Sequence, residues 1–196
     1  MAAPLGDPIA RLAELLAEAE RRGAPEPTAM ALATADGRGR PSVRMVLLKG
    51  LDERGLVFYT NLTSRKAQEL RANPRAAVAF WWPVLETQVR VEGPVEPVSD
   101  AEADAYFARR PRGSQLGAWA SRQSQPLADR AELEARLREV AARFGDGPVP
   151  RPPFWSGFRL RPDAVEFWFG RPDRLHEREL YTRAPDGGWR RTLLYP

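Results

Sequence analysis

The sequence contains no cysteine, a single histidine and, among its 30 basic residues, only two lysines. The lack of cysteine excludes disulfide bonds, thiolate metal sites and a cysteine nucleophile, and it is compatible with a reducing compartment. The single histidine, His176, argues against a metal site built from several histidines. No apolar run approaches the ~18 residues of a membrane span, and the N-terminus lacks the pattern of a secretory signal. We therefore expect a cytoplasmic protein with no metal and no membrane partner.

The charge balance is mild, because 30 basic residues against 26 acidic ones leave a net charge of +4. Basic and acidic residues are interspersed without a sustained basic run, so we expect no nucleic-acid partner. The 196 residues suffice for one sizeable core, which predicts a single domain over residues 1–196. Because lysine is rare, the positions of Lys49 and Lys66 are informative, and both lie in segments that favour anion binding.

Apolar periodicity divides the chain into a few helices and many short strands. Asp7 as an N-cap, the following proline and a helical apolar stripe predict an N-terminal helix at about residues 7–22. Further helices are predicted at 64–72, from 99 to about 109, and within 127–144. Strands are predicted at 29–35, 43–48, 56–60, 76–82, 86–95, 157–160, 164–168, 180–182 and 189–194. Many short strands with a few helices predict a mainly β fold with flanking helices (α+β), a barrel with the helices packed outside, and the lack of strand–helix alternation argues against a parallel α/β fold.

The start of the second predicted helix combines the features of a phosphate site. Ser64 supplies a hydroxyl, Arg65 and Lys66 supply two cations, and the first turn of a helix offers free backbone N–H groups. Cations in that turn oppose the helix dipole, so a helix built only for stability would carry acidic residues there. The pattern therefore indicates anion binding, with a solvated helix face as the alternative.

Arg44 and Lys49 stand at the two ends of an apolar strand. They are five residues apart and so on opposite faces, which predicts that they reach different partners. Arg44 would meet a phosphate, and Lys49 would point toward a second anionic or ring-bearing ligand. The alternative is a strand flanked by two solvated charges.

Tyr106, Arg110 and Ser114 recur every four residues, a spacing that would line one helical face with groups suited to phosphate. Pro111 interrupts this simple arrangement, because the residue before a proline is pushed out of the helical region. The three side chains can converge only if the chain bends between Arg110 and Ser114. Taken alone, the triplet is also compatible with an ordinary surface.

Two later segments add polar candidates. Gln123 and Ser124 precede the last predicted helix, where they either cap that helix or contact a ligand. Arg174, His176 and Arg178 alternate, and a strand would direct all three to one face that could bind a flat anionic ligand. The alternative for the histidine is a structural hydrogen bond.

Seven segments, taken in order, together resemble the pyridoxamine 5′-phosphate oxidase family. They are PSVRMVLLK (41–49), FYTN (58–61), SRK (64–66), QVRVEG (88–93), RRP with SQLGAW (109–111 and 114–119), SRQS (121–124), and EFW with RLH (166–168 and 174–176). The resemblance extends from about Asp7 to the C-terminus. The order and wording of seven motifs make it far more specific than any single pattern.

The resemblance implies an FMN-binding split β-barrel, assembled as a homodimer with FMN at the subunit interface. The residues that it assigns to FMN are Arg44, Met45, Val46, Leu47, Leu48, Lys49, Tyr59, Thr60, Arg65, Lys66, Gln88, Gln123, Ser124, Trp168 and Arg178. Those that it assigns to the substrate are Lys49, Tyr106, Arg110 and Ser114 at a phosphate, with Arg174 and His176, the catalytic candidates, over a pyridine ring. The implied reaction oxidises pyridoxamine or pyridoxine 5′-phosphate to pyridoxal 5′-phosphate and reduces dioxygen to hydrogen peroxide.

The chain also departs from the family's pattern. Ser156 replaces a glycine of a Trp-Gly-Gly-Phe motif, Phe169 stands where glutamine is frequent and would remove a polar contact, and Leu193 occupies a position where arginine is usual. The N-terminus is expected to lack a segment that folds over the substrate in longer relatives. Two alternative functions remain: a related flavin oxidase of the phenazine-biosynthesis type, and a non-catalytic protein that binds flavin or pyridoxal phosphate.

Overall fold

The computed structural model describes residues 6–196, and the first five residues of the expected 1–196 domain lie outside the described part. The helices are α1 (Pro8–Arg21), α2 (Arg65–Ala72), α3 (Asp100–Ala108), α4 (Arg112–Ala120) and α5 (Arg130–Phe144). The strands are β1 (Ala29–Ala35), β2 (Pro41–Leu47), β3 (Gly50–Asp52), β4 (Gly55–Asn61), β5 (Arg75–Trp82), β6 (Thr87–Pro97), β7 (Trp155–Leu160), β8 (Ala164–Phe169), β9 (Glu177–Arg183) and β10 (Trp189–Leu194). The expected mainly β fold with flanking helices is confirmed.

The ten strands form one curled antiparallel sheet, a half-barrel. Its main path runs β10-β9-β8-β6-β5-β1-β2, while β7 pairs with both β6 and β4, and β4 pairs with β3. Within residues 6–196, β2 pairs with β1 alone, so its second edge stays open toward β4. One backbone hydrogen bond, from Lys49 N–H to Val57 O (2.8 Å), bridges that opening. The split side of the barrel therefore exposes unpaired backbone groups of β2.

Strand β6 turns the sheet, and a glycine makes the turn possible. Residues 87–92 of β6 pair with β8, whereas Val95 to Pro97 pair with β7. Gly93 lies between these two regions, and a Cβ atom there would lie 1.9 Å from the carbonyl oxygen of Arg161. Only glycine allows the backbone around Arg161 to approach so closely.

The core fills the concave side of the sheet and follows the period-2 pattern of the strands. Along β1 the buried residues Met30, Leu32 and Thr34 alternate with half-buried alanines. Leu32, Phe58, Phe80 and Phe167 belong to one buried cluster. Each such side chain contributes about 1.5–3 kcal/mol of transfer free energy. None of the five helices in the described residues combines the length and the apolar character needed to cross a membrane.

One strand and one helix were not predicted from the sequence, each for a simple reason. Strand β3 has only three residues, too few to show a periodicity. Helix α4 begins directly after Pro111, where the proline suggested an end of helical structure instead of a new beginning. Proline at the start of a helix is favourable because its missing N–H would have no partner there anyway.

Helix α3 carries site residues and begins with a capping box. The Ser99 hydroxyl accepts a hydrogen bond from Glu102 N–H (3.2 Å), and the Glu102 carboxylate accepts one from Ser99 N–H (3.4 Å). We expect Ser99→Ala to destabilise the protein by about 1 kcal/mol, which lowers the Tm by about 2–4 °C. Thermal unfolding followed by circular dichroism measures this loss. Ser99→Asp keeps a capping oxygen and should retain the wild-type Tm; an equal loss in both variants would contradict the capping role.

Candidate functional site

A cavity of about 760 Å³ opens at the split side of the barrel, between β2, β4, α2 and the α3–α4 pair. Among the residues expected to contact FMN, its wall contains Arg44, Met45, Val46, Leu47, Lys49, Tyr59, Thr60, Arg65, Lys66, Gln123 and Ser124. It also contains Tyr106, Arg110 and Ser114, the three residues expected at a substrate phosphate. Leu48 is not part of this wall, because its side chain is buried in the core. The fold thus gathers two sequence-derived sets into one cavity.

Lys66 is a buried cation with neutral partners. It is only 7% exposed, and its Nζ donates hydrogen bonds to Thr60 Oγ1 (3.1 Å), Ser64 Oγ (3.3 Å) and Gln123 Oε1 (3.0 Å). Burial and the nearby Arg44 charge lower the pKa of Lys66 to about 8, and no carboxylate of the described residues opposes this shift. A buried cation without a countercharge is costly for the empty site and favourable once an anion binds.

Glu69 on α2 holds the other two cations of this region in place. Its Oε2 accepts hydrogen bonds from Thr34 Oγ1 (2.5 Å), Ser42 Oγ (2.6 Å) and Arg44 Nη2 (3.3 Å), and its Oε1 accepts one from Arg65 Nε (2.8 Å). Burial opposes ionisation of Glu69, but these hydrogen bonds lower its pKa to about 2. The carboxylate is therefore ionised at neutral pH, and it partly neutralises Arg44 and Arg65.

Arg44 and Lys49 have different neighbours, although both line the same cavity. Arg44 Nη1 donates to Leu32 O (3.1 Å) and Thr34 Oγ1 (2.5 Å), on the side of Glu69. Lys49 follows the end of β2 and is exposed. The two cations thus approach the cavity from different directions.

Helices α3 and α4 bring the substrate-phosphate candidates together through the bend at Pro111. Tyr106 lies in the last turn of α3, Arg110 follows that helix, and Ser114 lies in the first turn of α4. Pro111 adopts an extended ψ of 141°, which separates the two helices. The three side chains therefore line one cavity although Pro111 divides the segment into two short helices.

Arg110 resembles Lys66 in lacking a countercharge. Its Nη1 is buried and has no hydrogen-bond partner in the described part of the chain. Burial lowers the pKa of its guanidinium, and the small opposing effect comes from Tyr106, not from a carboxylate. A buried donor without a partner is unfavourable unless a ligand supplies the acceptor.

Three aromatic rings form one wall of the cavity. Tyr59 stacks on Tyr106 (centroids 4.0 Å apart, planes at 4°) and on Trp155 (5.3 Å, 3°). The Arg110 guanidinium lies over the Trp155 ring, 4.7 Å from its centroid. Burial raises the pKa of both Tyr59 and Tyr106, so both hydroxyls are protonated at neutral pH.

Glu69 and Trp155 are the most informative residues of this region that sequence reasoning missed. A signal for Glu69 existed, because an acid four residues after Arg65 is placed to pair with it on a helix. The signal for Trp155 was weaker, since an aromatic residue at the start of a strand is usually core. Only the tertiary contact with Arg110 distinguishes Trp155 from an ordinary core residue.

The remaining cofactor candidates lie elsewhere in this chain, on the convex face of the sheet. Gln88, Trp168 and Arg178 are direct cross-strand neighbours on β6, β8 and β9. Arg178 Nε donates to the buried Glu166 carboxylate (2.8 Å). Because Gln88, Trp168 and Arg178 are not part of the cavity wall, one chain presents two separate groups of candidate residues.

The expectation that Arg174, His176 and Arg178 alternate along one strand is wrong. Strand β9 begins only at Glu177, and Arg174 lies in a helical turn after Pro172 with a left-handed φ of 61°. Proline fixes its own φ and favours such a turn, which removes the strand alternation. His176 nevertheless lies against Trp168, with ring centroids 4.3 Å apart. Its Nδ1 accepts a hydrogen bond from Arg171 N–H (3.2 Å), which leaves Nε2 as the donor.

Gln123 and Ser124 do not cap the following helix, because the N-cap of α5 is Asp129. Gln123 instead reaches Thr60 and Lys66 through its side-chain oxygen. Ser124 adopts a left-handed φ of 69°, a strained conformation for a residue other than glycine. The loop therefore contributes to the cavity instead of stabilising α5.

The departures from the family pattern fall outside the cavity wall. Ser156 is buried on β7 opposite Thr60 of β4, so the sheet accommodates its side chain. Phe169 packs against the core, with the Arg11 guanidinium 5.2 Å from its ring centroid. It alternates with Trp168 along β8 and so points to the other face of the sheet. Leu193 is an exposed residue of β10.

Two family models match the chain and together span most of it. One, described as pyridoxamine 5′-phosphate oxidase, matches residues 16–144. The other, described as a pyridoxine 5′-phosphate oxidase C-terminal dimerisation region, matches residues 155–196. The first includes the cavity residues on β2, β4, α2, α3 and α4, and the second includes Trp155 and the convex-face residues of β8 and β9.

Individual relatives agree with these matches. A pyridoxine/pyridoxamine 5′-phosphate oxidase from Myxococcus xanthus (strain DK1622) is 60% identical over 190 residues, which are 97% of this chain and 92% of that protein. One from Gluconobacter oxydans (strain 621H) is 60% identical over 191 residues, covering 97% and 94%. Among solved structures, PhzG from Burkholderia lata 383, in complex with tetrahydrophenazine-1-carboxylic acid, has a TM-score of 0.93, with 37% identity and coverage of 98% and 94%.

Proposed function

The chain belongs to the pyridoxamine 5′-phosphate oxidase family, and from this premise we propose that it is a cytoplasmic, FMN-dependent pyridoxine/pyridoxamine 5′-phosphate oxidase. Its product would be pyridoxal 5′-phosphate, and dioxygen would be reduced to hydrogen peroxide. The observation that carries the proposal is a pair of cations in one cavity, the buried Lys66 and the half-buried Arg110 with its buried Nη1, neither of which has a carboxylate partner among the described residues. Two such cations suit two phosphate groups, one on the cofactor and one on the substrate.

The residues around Lys66 fit the phosphate of FMN. Lys66 and Arg65 would supply charge, Thr60 and Ser64 would supply hydroxyls, and the start of α2 adds its backbone N–H groups. The open edge of β2 leaves backbone groups for the polar atoms of a flat ring system. When bound, FMN would supply the redox chemistry, that is, hydride acceptance from the substrate and electron transfer to dioxygen.

The residues around Arg110 fit the substrate. The free Nη1 of Arg110 would donate to a phosphate oxygen, with the Tyr106 and Ser114 hydroxyls and the Lys49 ammonium beside it. Four groups at one end of the substrate would fix its orientation, and a fixed orientation is what hydride transfer to the cofactor would require. The protein's contribution in this proposal is alignment and charge balance, without a covalent protein intermediate.

The two groups of candidate residues are explained if two chains share each site. Gln88, Trp168, Arg174, His176 and Arg178 would then act at the cavity of a second copy. Exposed apolar side chains also surround the site, among them Val43 (69% exposed) and Met45 (64%) at the cavity and Trp81 (53%) beside Gln88, and a homodimer would bury them. The C-terminal family match, whose description names a dimerisation region, supports the same arrangement.

Aerobic turnover tests the proposal. The purified, FMN-loaded protein is mixed with pyridoxamine 5′-phosphate, and pyridoxal phosphate absorbance and hydrogen peroxide are followed together. We expect equimolar products, with ammonia released as the substrate's amine is lost, and a large loss of activity in Arg174→Ala at unchanged fold. FMN binding without either product would refute the assignment of pyridoxamine 5′-phosphate as the substrate and favour either a related oxidase or a non-catalytic binding protein.

A related oxidase acting on another aromatic substrate is the second candidate, and the structural similarity to PhzG favours it. A phosphate-free substrate would not need the phosphate pocket that Lys49, Tyr106, Arg110 and Ser114 provide in the cavity wall. Parallel assays with pyridoxamine 5′-phosphate and with a reduced phenazine carboxylate separate the two. Turnover of the second compound alone would establish the alternative.

A further inference from the structure

Trp155 contacts one of the residues expected to bind FMN and one of those expected to bind the substrate phosphate. It opens β7, is 6% exposed, and lies parallel to Tyr59, a cofactor candidate, and to Tyr106, a substrate candidate (centroids 5.3 and 6.2 Å away). The Arg110 guanidinium lies 4.7 Å from the centroid of the Trp155 ring and 5.5 Å from that of the Phe107 ring.

The partners of Arg110 are unusual for a half-buried arginine whose Nη1 is fully buried. Arginines inside proteins are normally paired with a carboxylate, as Arg44 is with Glu69 in this cavity. Arg110 instead faces aromatic rings, and its buried Nη1 has no acceptor among residues 6–196. The face of an aromatic ring attracts a cation through its quadrupole, but it does not neutralise the cation's charge. It also leaves the N–H donors in the guanidinium plane free for a ligand.

We propose that Trp155 is a positioning residue for the substrate: its indole face fixes the Arg110 guanidinium in the orientation that receives the phosphate, and leaves the positive charge of Arg110 for that ligand. The inference rests on the proposed function, because it takes Arg110 as the contact of the substrate phosphate. A carboxylate in the place of the indole would hold Arg110 equally well, but it would repel the incoming phosphate. The aromatic partner thus combines a fixed geometry with an available charge.

Direct binding and kinetics test the proposal in a set of matched variants. Trp155→Leu removes the ring, Trp155→Phe keeps a ring face, and each is made in the wild-type protein and in Arg110→Met. Trp119→Leu is the control, since Trp119 also carries an arginine over its ring (Arg143, 4.9 Å) but is not part of the cavity wall. Calorimetric titration of the FMN-loaded protein with inorganic phosphate gives the phosphate affinity, and steady-state assays give KM and kcat for pyridoxamine 5′-phosphate.

We expect Trp155→Leu to raise KM and the phosphate Kd about 10-fold, with kcat changed by less than about 2-fold. Trp155→Phe should raise them only about 2- to 3-fold, since phenylalanine offers a weaker ring face. In the Arg110→Met protein the same substitutions should have no further effect on phosphate affinity. Trp119→Leu should match the wild type.

Two results would overturn the proposal. One is an unchanged phosphate Kd in Trp155→Leu; the other is a loss of equal size with and without Arg110, which would mean that the indole acts through general packing. If Trp155→Leu does not fold, the dependence of the Trp155→Phe effect on Arg110 decides. A wild type that binds phosphate through Trp155 and Arg110 but does not turn over the substrate leaves this inference standing and refutes the proposed reaction alone.

Discussion

Lys66→Met is expected to weaken FMN binding about 100-fold or more and, at the same time, to stabilise the FMN-free protein. Lys66 is the buried cation whose three hydrogen-bond partners are all neutral. In the empty site its charge is uncompensated, so replacing it with an apolar side chain of similar length should raise the free energy of unfolding by roughly 1–3 kcal/mol. In the loaded site the loss of the countercharge for the phosphate dominates.

FMN fluorescence quenching gives the Kd, and chemical denaturation of the apoprotein gives the stability. Lys49→Met is the matched control for stability, because Lys49 is the other lysine and is exposed; its apoprotein should unfold within about 0.5 kcal/mol of the wild type. FMN affinity that survives in Lys66→Met would show that this lysine does not hold the phosphate.

The lowered pKa of Lys66 also makes the stability of the FMN-free protein depend on pH. The folded apoprotein holds this lysine at a pKa of about 8, below the ordinary value of 10.5 in the unfolded chain. Between these two values the unfolded state binds more protons than the folded state, so stability from this group rises with pH from about 8 to about 10.5. Denaturation of the apoprotein at pH 8 and pH 10 should show a rise in the wild type that Lys66→Met lacks.

Arg110→Met should lower kcat/KM for pyridoxamine 5′-phosphate about 100- to 1000-fold, at unchanged FMN affinity. The substrate phosphate would lose a charge-assisted partner whose buried Nη1 has no other acceptor in the described residues. Since the guanidinium also lacks a carboxylate partner, its removal should not destabilise the protein.

Steady-state kinetics with pyridoxamine 5′-phosphate and with phosphate-free pyridoxamine isolate the contribution of Arg110 to phosphate binding. Arg109→Met is the control, because Arg109 is the adjacent, exposed arginine and is not part of the cavity wall. Slow turnover of phosphate-free pyridoxamine should be equal in the wild type and in Arg110→Met. A comparable loss with both substrates would mean that Arg110 supports the chemistry or the fold instead of the phosphate.

The basic residues of the site thus divide into two kinds, a distinction that composition cannot reveal. Arg44 and Arg65 are paired with Glu69, and Arg178 is paired with Glu166. Lys66 and Arg110 face neutral or aromatic groups instead. Paired arginines shape a site and orient its donors, whereas unpaired cations supply net attraction for an anion. The largest functional losses are therefore expected at Lys66 and Arg110.

Several features of this protein could be predicted from the sequence because they depend on local interactions. Strand β1 was predicted at its observed bounds, since a short apolar run followed by turn residues is typical of a strand. The cations after Ser64 indicated an anion site because they oppose the helix dipole, whatever the rest of the fold. The order of short motifs further identified the family, since each motif is local while their succession is specific.

Only the tertiary structure decided which of these groups meet. Glu69 reaches Thr34, Ser42 and Arg44 through contacts between α2 and two strands, and no spacing within one element encodes such distances. Trp155 meets Arg110 for the same reason, across 45 positions of the sequence. The turn at Arg174 escaped because left-handed backbone at a residue other than glycine has no clear sequence signature. Sequence patterns report on neighbours along the chain, whereas the countercharge of a buried cation depends on which distant segments pack around it.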